Sequence, residues 1–125
     1  MGIRTRIVGS ALLGIAIVTA PVAAAAPSVT DAITAAGGAC GPIDSHGEYE
    51  CVLYDTGFRL VPGEAALAQT ASVRRLGCAT RVDPSNKLLT DGHWFITTPV
   101  QAELGLIQTA LAAQGVSSSI QPYCP

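Results

Sequence analysis

Apolar side chains recur at Val29, Ala32, Ile33 and Ala36, the i, i+3, i+4, i+7 spacing of one helical face. The spacing predicts a helix over 27–36, capped by Ser28 or Thr30 and stopped by Gly37-Gly38. After a loop rich in Gly, Pro, Asp and Ser, the period drops to two. Tyr49, Cys51 and Leu53 share one face of a predicted strand over 49–55, and Val52 and Tyr54 share the other, which places the strand inside a sheet. Asp55-Thr56-Gly57 reads as a turn, with 58–61 as the hairpin partner. Pro62-Gly63 ends that strand. A run of helix formers predicts a helix over 64–76, with Glu64 and Arg74-Arg75 at the ends that suit its dipole, and Gly77 as its stop.

Polar residues over 80–86 connect to 87–90, which can pair across the Asp91-Gly92 turn with a strand over 93–97. Trp94 and Ile96 fall on one face of that strand, and His93, Phe95 and Thr97 on the other. Of Trp94 and Phe95, one belongs in the core; the other is either exposed or covered by 87–90. Thr98-Pro99-Val100-Gln101 has the form of a capping box with Pro at the first helical position. The stripe Val100, Leu104, Ile107, Leu111 continues the helix, and Gly115 closes it. Alternation at Val116, Ser118 and Ile120 predicts a last strand over 116–123, held to an edge or an end by Pro122.

The predicted order is α-β-β-α-β-α-β. It implies an α+β fold: a small two-layer sandwich with helices on one face of a four-stranded sheet and two disulfides. Helices and strands alternate in the second half, so some strands should be parallel, and a ferredoxin-like arrangement is one candidate.

The N-terminus sets the compartment. Arg4 and Arg6 precede an uncharged apolar run over 7–18, Pro21 breaks it, and Ala24-Ala25-Ala26 offers a small-residue cleavage site. That order is a secretory signal peptide, expected over 1–26. The mature single domain, 27–125, keeps five basic residues against nine acidic ones, a net charge of −4. An acidic domain lacks the electrostatic footprint of a nucleic-acid binder, and no membrane contact is expected after cleavage. A monomer is expected. All four cysteines, Cys40, Cys51, Cys78 and Cys124, lie in the exported part, and an even count in a short secreted chain reads as a disulfide framework. Of three connectivities, Cys40–Cys51 and Cys78–Cys124 are favoured, because the first closes a local loop and the second ties the tail to the body.

The segment Cys40 to Cys51 also carries Asp44, His46, Glu48 and Glu50, the ingredients of a metal site. Its spacing argues against one. Ten residues separate the two cysteines, one His lies between them, and neither a zinc nor a calcium-loop pattern is present. The segment reads as a stapled loop. His93 with Asp91 would need a nucleophile to form a triad, and no G-x-S-x-G exists. Glu48 and Glu50 share a strand face as paired acids would, but a solvent-facing edge explains them more simply. No catalytic residue, metal or cofactor is expected. Asp44, His46, Glu48 and His93 are the candidate partner contacts.

The chain resembles the small secreted proteins of unknown function found in actinobacteria. The likeness is carried by the signal ending Ala23-Ala-Ala-Ala-Pro27, the opening Asp31-Ala-Ile-Thr-Ala-Ala-Gly-Gly-Ala-Cys40, Tyr49-Glu-Cys51, Gly92-His-Trp94-Phe-Ile, and Ala110-Leu-Ala-Ala-Gln-Gly115. It implies a disulfide-bonded α+β domain and assigns no functional residue. Secreted actinobacterial subtilisin inhibitors offer a contrast, because their Tyr-Asp-Pro strand is replaced here by Tyr54-Asp55-Thr56. The expected function is a non-catalytic domain that binds a protein or envelope component. A protease inhibitor using the loop 41–50 is the alternative, and a small hydrolase ranks below both.

Overall fold

The structure, a computed structural model, describes residues 28–125. The signal peptide expected over 1–26 and the start at Pro27 lie outside them. In chain order the elements are α1 (Val29–Ala35), β1 (Ala39–Cys40), β2 (Tyr49–Leu53), β3 (Thr56–Pro62), α2 (Ala66–Gln69), α3 (Ala71–Thr80), β4 (Lys87–Thr90), β5 (Trp94–Thr97), a 3-10 turn (Gln101–Glu103), α4 (Leu104–Ala113) and β6 (Ser119–Pro122). The strands form one sheet in the order β1-β2-β3-β5-β4-β6.

The α+β class and the two disulfides hold; the finer expectations need correction. The sheet has six strands instead of four, because β1 and β4 join it. Every adjacent pair is antiparallel, so no parallel crossover exists among the described residues and the arrangement is not ferredoxin-like. Helices also cover both faces instead of one. On the first face, α1 and α4 bury Ile33, Leu104, Ile107 and Leu111 against Leu53, Leu60, Leu89 and Ile96. On the second, α2 places Ala66 and Leu67 against Leu88 and Phe95, with Tyr123 beside them. Register explains the split: Leu89 opposes Ile96 while Thr90 opposes Phe95, so neighbouring residues serve different cores. Trp94 and Phe95 are accordingly both buried.

The helix ends follow local rules. Ser28 Oγ accepts from Asp31 N–H at 3.1 Å and caps α1. Gly115, with φ +87°, closes α4: its N–H reaches Ala112 O, and Val116 N–H reaches Leu111 O, each at 3.0 Å. That is the paired bonding of a Schellman turn.

Two local expectations fail for identifiable reasons. The single helix over 64–76 is two. Thr70 Oγ1 donates to Ala66 O at 2.7 Å, competing with the helical ladder at the break. Gly77 lies inside α3, buried, where a Cβ would already touch Val82 Cγ2 at 3.4 Å. Thr98 and Gln101 do not form the capping box. Thr98 Oγ1 donates to Gly57 O at 3.1 Å and accepts from Val100 N–H at 3.2 Å. The Gln101 amide spans the gap left where β5 ends. Its Oε1 accepts from Lys87 N–H at 2.6 Å and its Nε2 donates to Thr98 O at 2.9 Å. One side chain thereby bridges Lys87 and Thr98, which the β4–β5 register sets opposite each other beyond the last ladder step.

α3 turns an arginine inward. It buries Arg74, Gly77 and part of Cys78, and presents Val73 and Leu76 outward at 70% and 65% exposure. Arg74 is 7% exposed. Its guanidinium donates to Thr70 Oγ1 (3.1 Å), Tyr123 O (2.7 Å) and Leu67 O (2.6 Å). It also lies over the rings of Phe95 and Tyr123 at 6.0 and 5.9 Å. The Cys78–Cys124 bridge fastens the same tail to the same helix.

Both sheet edges are blunt. β1 has two residues. On β6, the Tyr123 N–H bond to Asn86 O (2.9 Å) fixes the phase of the ladder, which turns Ile120 and Pro122 outward. Pro122 has no N–H, so the outer edge of β6 offers a single donor.

Candidate functional site: a groove beside the stapled loop

α2 and α3 cover only part of the second sheet face. Toward β2 the face is open. Val52 opposes Gly57, and Glu50 opposes Arg59, which in turn opposes Thr97. These residues form the floor of a groove of about 800 Å³. Pro99 and Gln101 stand on one side, Gly41 on another, and Val82, Asn86 and Tyr123 close it toward α3. Val52 is 51% exposed at its base. A Cβ built on Gly57 meets nothing within 4 Å, so the floor has room above it.

The loop beside the groove is braced twice. Cys40 and Cys51, directly opposed across β1 and β2, are bridged. Within the loop, Asp44 Oδ1 accepts from His46 N–H (2.8 Å) and Glu48 N–H (3.0 Å), and Asp44 N–H donates to Glu48 O (2.8 Å). The Glu48 N–H bond above all holds the Asp44 carboxyl below its ordinary value; desolvation opposes it, and the His46 N–H bond and the charges of His46 and Arg59 reinforce it.

Arg59 joins loop to sheet. Its Nη1 lies 3.0 Å from Glu48 Oε1 and 3.5 Å from Asp44 Oδ2, and its Nη2 lies 2.7 Å from Glu50 Oε2. Glu48 first, then Glu50 and Asp44, raise the Arg59 pKa above its ordinary value. Glu48 and Glu50 are therefore two ends of one ion-pair cluster and not a free acid–base pair.

Of the residues singled out from the sequence, Asp44 and Glu48 meet around Arg59. His46 contributes its backbone to the loop and exposes its side chain. His93 lies elsewhere, with Nε2 3.3 Å from Glu64 Oε2 and Nδ1 3.7 Å from Asp91 Oδ1. Arg59 was missed. The hairpin register was the available signal, because it sets this Arg opposite Glu50. Among the described residues no group of three or more His, Cys, Asp or Glu could hold a metal ion.

The fold and site define a disulfide-bonded, six-stranded antiparallel α+β domain with an open, rigidly walled groove on one sheet face. Comparison with protein-family models, curated proteins and solved structures finds no match to the chain.

Proposed function

We propose that this protein is a secreted, non-catalytic domain whose partner, a protein or an envelope component, seats in the groove beside the stapled loop. One observation carries the reading: part of a sheet face is left uncovered, with an exposed apolar patch at Val52 and Gly57 in a floor that also carries the Glu50–Arg59 ion pair, beside a loop fixed by a disulfide. Concave apolar surface with a few fixed polar groups is what binding sites are built from. Export agrees with the two disulfides. Among the described residues, no helix is long and apolar enough to cross a membrane.

Gly57→Val tests this directly, because a Cβ at Gly57 meets nothing within 4 Å and the branched side chain then stands over the groove floor. Immobilised wild type and variant are exposed to secreted and envelope fractions. A partner held by wild type and released by Gly57→Val, at equal melting temperature, supports the groove. A partner held equally by both removes it.

A second reading, a protease inhibitor presenting residues 41–50, draws on the self-bracing of the loop and on Ile43, 52% exposed at its surface. Rigid loops lose little entropy on docking. A panel of secreted proteases left fully active by the protein ends that reading.

A further inference from the structure

A second cleft, of about 890 Å³, lies at one end of the sheet, away from the groove. The β4–β5 turn, the start of α1 and the segment after α4 surround it. We propose that this cleft binds a neutral saccharide.

The chemistry of the wall selects the ligand. Three consecutive hydroxyls, Ser117, Ser118 and Ser119, face the cleft together with Gln121 and Asp91, and no Lys or Arg lines it. A phosphate, sulfate or carboxylate ligand would find only the His93 imidazole, which already lies 3.3 Å from the Glu64 carboxylate and 3.7 Å from that of Asp91. A hydrocarbon would bury these groups without partners, which is costly. A sugar matches both halves of the surface. Its ring hydroxyls donate and accept toward Ser, Gln and Asp, and its C–H faces pack on the partly exposed Val29, Pro62 and Leu67, with only an edge of Trp94 reaching the cleft.

Two local details sharpen the match. Ser118 Oγ is the buried side-chain polar atom without a hydrogen-bond partner among the described residues, while Ser118 O is engaged by Gln108 Nε2 at 2.9 Å. Ser118 belongs to the cleft wall, where a ligand hydroxyl can supply the partner that oxygen lacks. Asp91 is held ready: its Oδ1 accepts from His93 N–H at 2.7 Å across Gly92, whose φ of +95° makes the tight turn. The other carboxylate oxygen is left to accept from a ligand.

The site does not depend on the groove, and its test separates the two. Trp94 is the single Trp of the chain and lines the cleft, so its fluorescence reports occupancy. The purified protein is titrated with neutral oligosaccharides (glucans, mannans, xylans and N-acetylglucosamine oligomers), with galacturonate oligomers as the anionic control. Co-sedimentation with the matching insoluble polysaccharides then distinguishes a polymer ligand from a free sugar. A saturable Trp94 shift with a neutral sugar, weakened about tenfold by Asp91→Asn or Ser119→Ala and untouched by Gly57→Val, is the expected result. Asp91 and Ser119 are exposed, and Asn keeps the acceptor for His93 N–H, so both variants should melt as wild type does. No shift with any neutral sugar at millimolar concentration overturns the proposal. So does equal binding of the galacturonate oligomers, or binding indifferent to both variants.

Discussion

Replacing Arg74 with Met removes a buried cation that has no carboxylate partner among the described residues. The contacts within its hydrogen-bonding reach are neutral: two backbone carbonyls, those of Leu67 and Tyr123, and one hydroxyl, that of Thr70. Hydrogen bonds from a charged donor contribute about 1.5–3 kcal/mol each, so three give about 4.5–9 kcal/mol. Against this stands the desolvation of the guanidinium, several kcal/mol in a buried setting. Met keeps the aliphatic packing over Phe95 and Tyr123 but leaves both carbonyls unmet, at about 1–3 kcal/mol apiece. The balance is a loss of about 3 kcal/mol. For a domain of this size that lowers the melting temperature by about 12–24 °C. Arg74→Lys should fall between, because a point charge cannot reach both carbonyls as the planar fork does. Thermal unfolding followed by circular dichroism, with disulfides intact, measures the loss. Amide exchange at Gln121 and Tyr123 locates it. A Met variant within about 0.5 kcal/mol of wild type would refute the reasoning, showing that desolvation cancels the three bonds.

Further outcomes follow from other contacts. Gln101→Glu loses the donor to Thr98 O and should cost about 1–3 kcal/mol at neutral pH by chemical denaturation, recovering in part when the new carboxyl is protonated. Gly38→Ala should destabilise severely, because its Cβ would meet Val52 O at 2.5 Å and Ile33 Cγ2 at 2.9 Å; soluble yield and melting temperature report it. By chain entropy, removing the 78–124 bridge should cost about 4 kcal/mol and the 40–51 bridge about 3 kcal/mol, as paired Cys→Ala variants compared by denaturation. Asp44 has a folded pKa below its ordinary value, so its contribution is present above the ordinary value and is lost as pH falls through the depressed one. Protection factors for amide exchange at His46 and Glu48, taken relative to the intrinsic rate at each pH, should therefore fall in strong acid, and Asp44→Asn should remove that fall.

What the sequence disclosed was set by how local the physics is. The caps at Ser28 and Gly115 depend on residues within one turn, and both were readable. The α3 orientation was not. Its outward face carries Val73 and Leu76, and the inward place of Arg74 depends on carbonyls supplied by the end of α2 and by the chain terminus. The two-residue β1 is too short to show a period; pairing and a bridge to Cys51 create it. The open groove was invisible for a related reason: the sequence shows which residues are apolar, but not how far a neighbouring helix reaches across a sheet. His93 was legible as a turn-flanking residue, while its approach to Glu64 required the 63–65 segment to fold back onto the β5 end, where Gly63 N–H meets His93 O at 2.7 Å.

The Cys40–Cys51 bridge has a consequence for how the chain reaches this state. The two cysteines face each other in the closer kind of antiparallel pair, with Cα atoms 4.0 Å apart. A slip of one residue would turn Cys51 to the opposite sheet face and set Val52 against Cys40. The thiols then diverge and cannot couple. Oxidation at this site thus acts as a proofreader of strand alignment: correctly aligned chains are locked, and misaligned ones keep their thiols and the chance to try again.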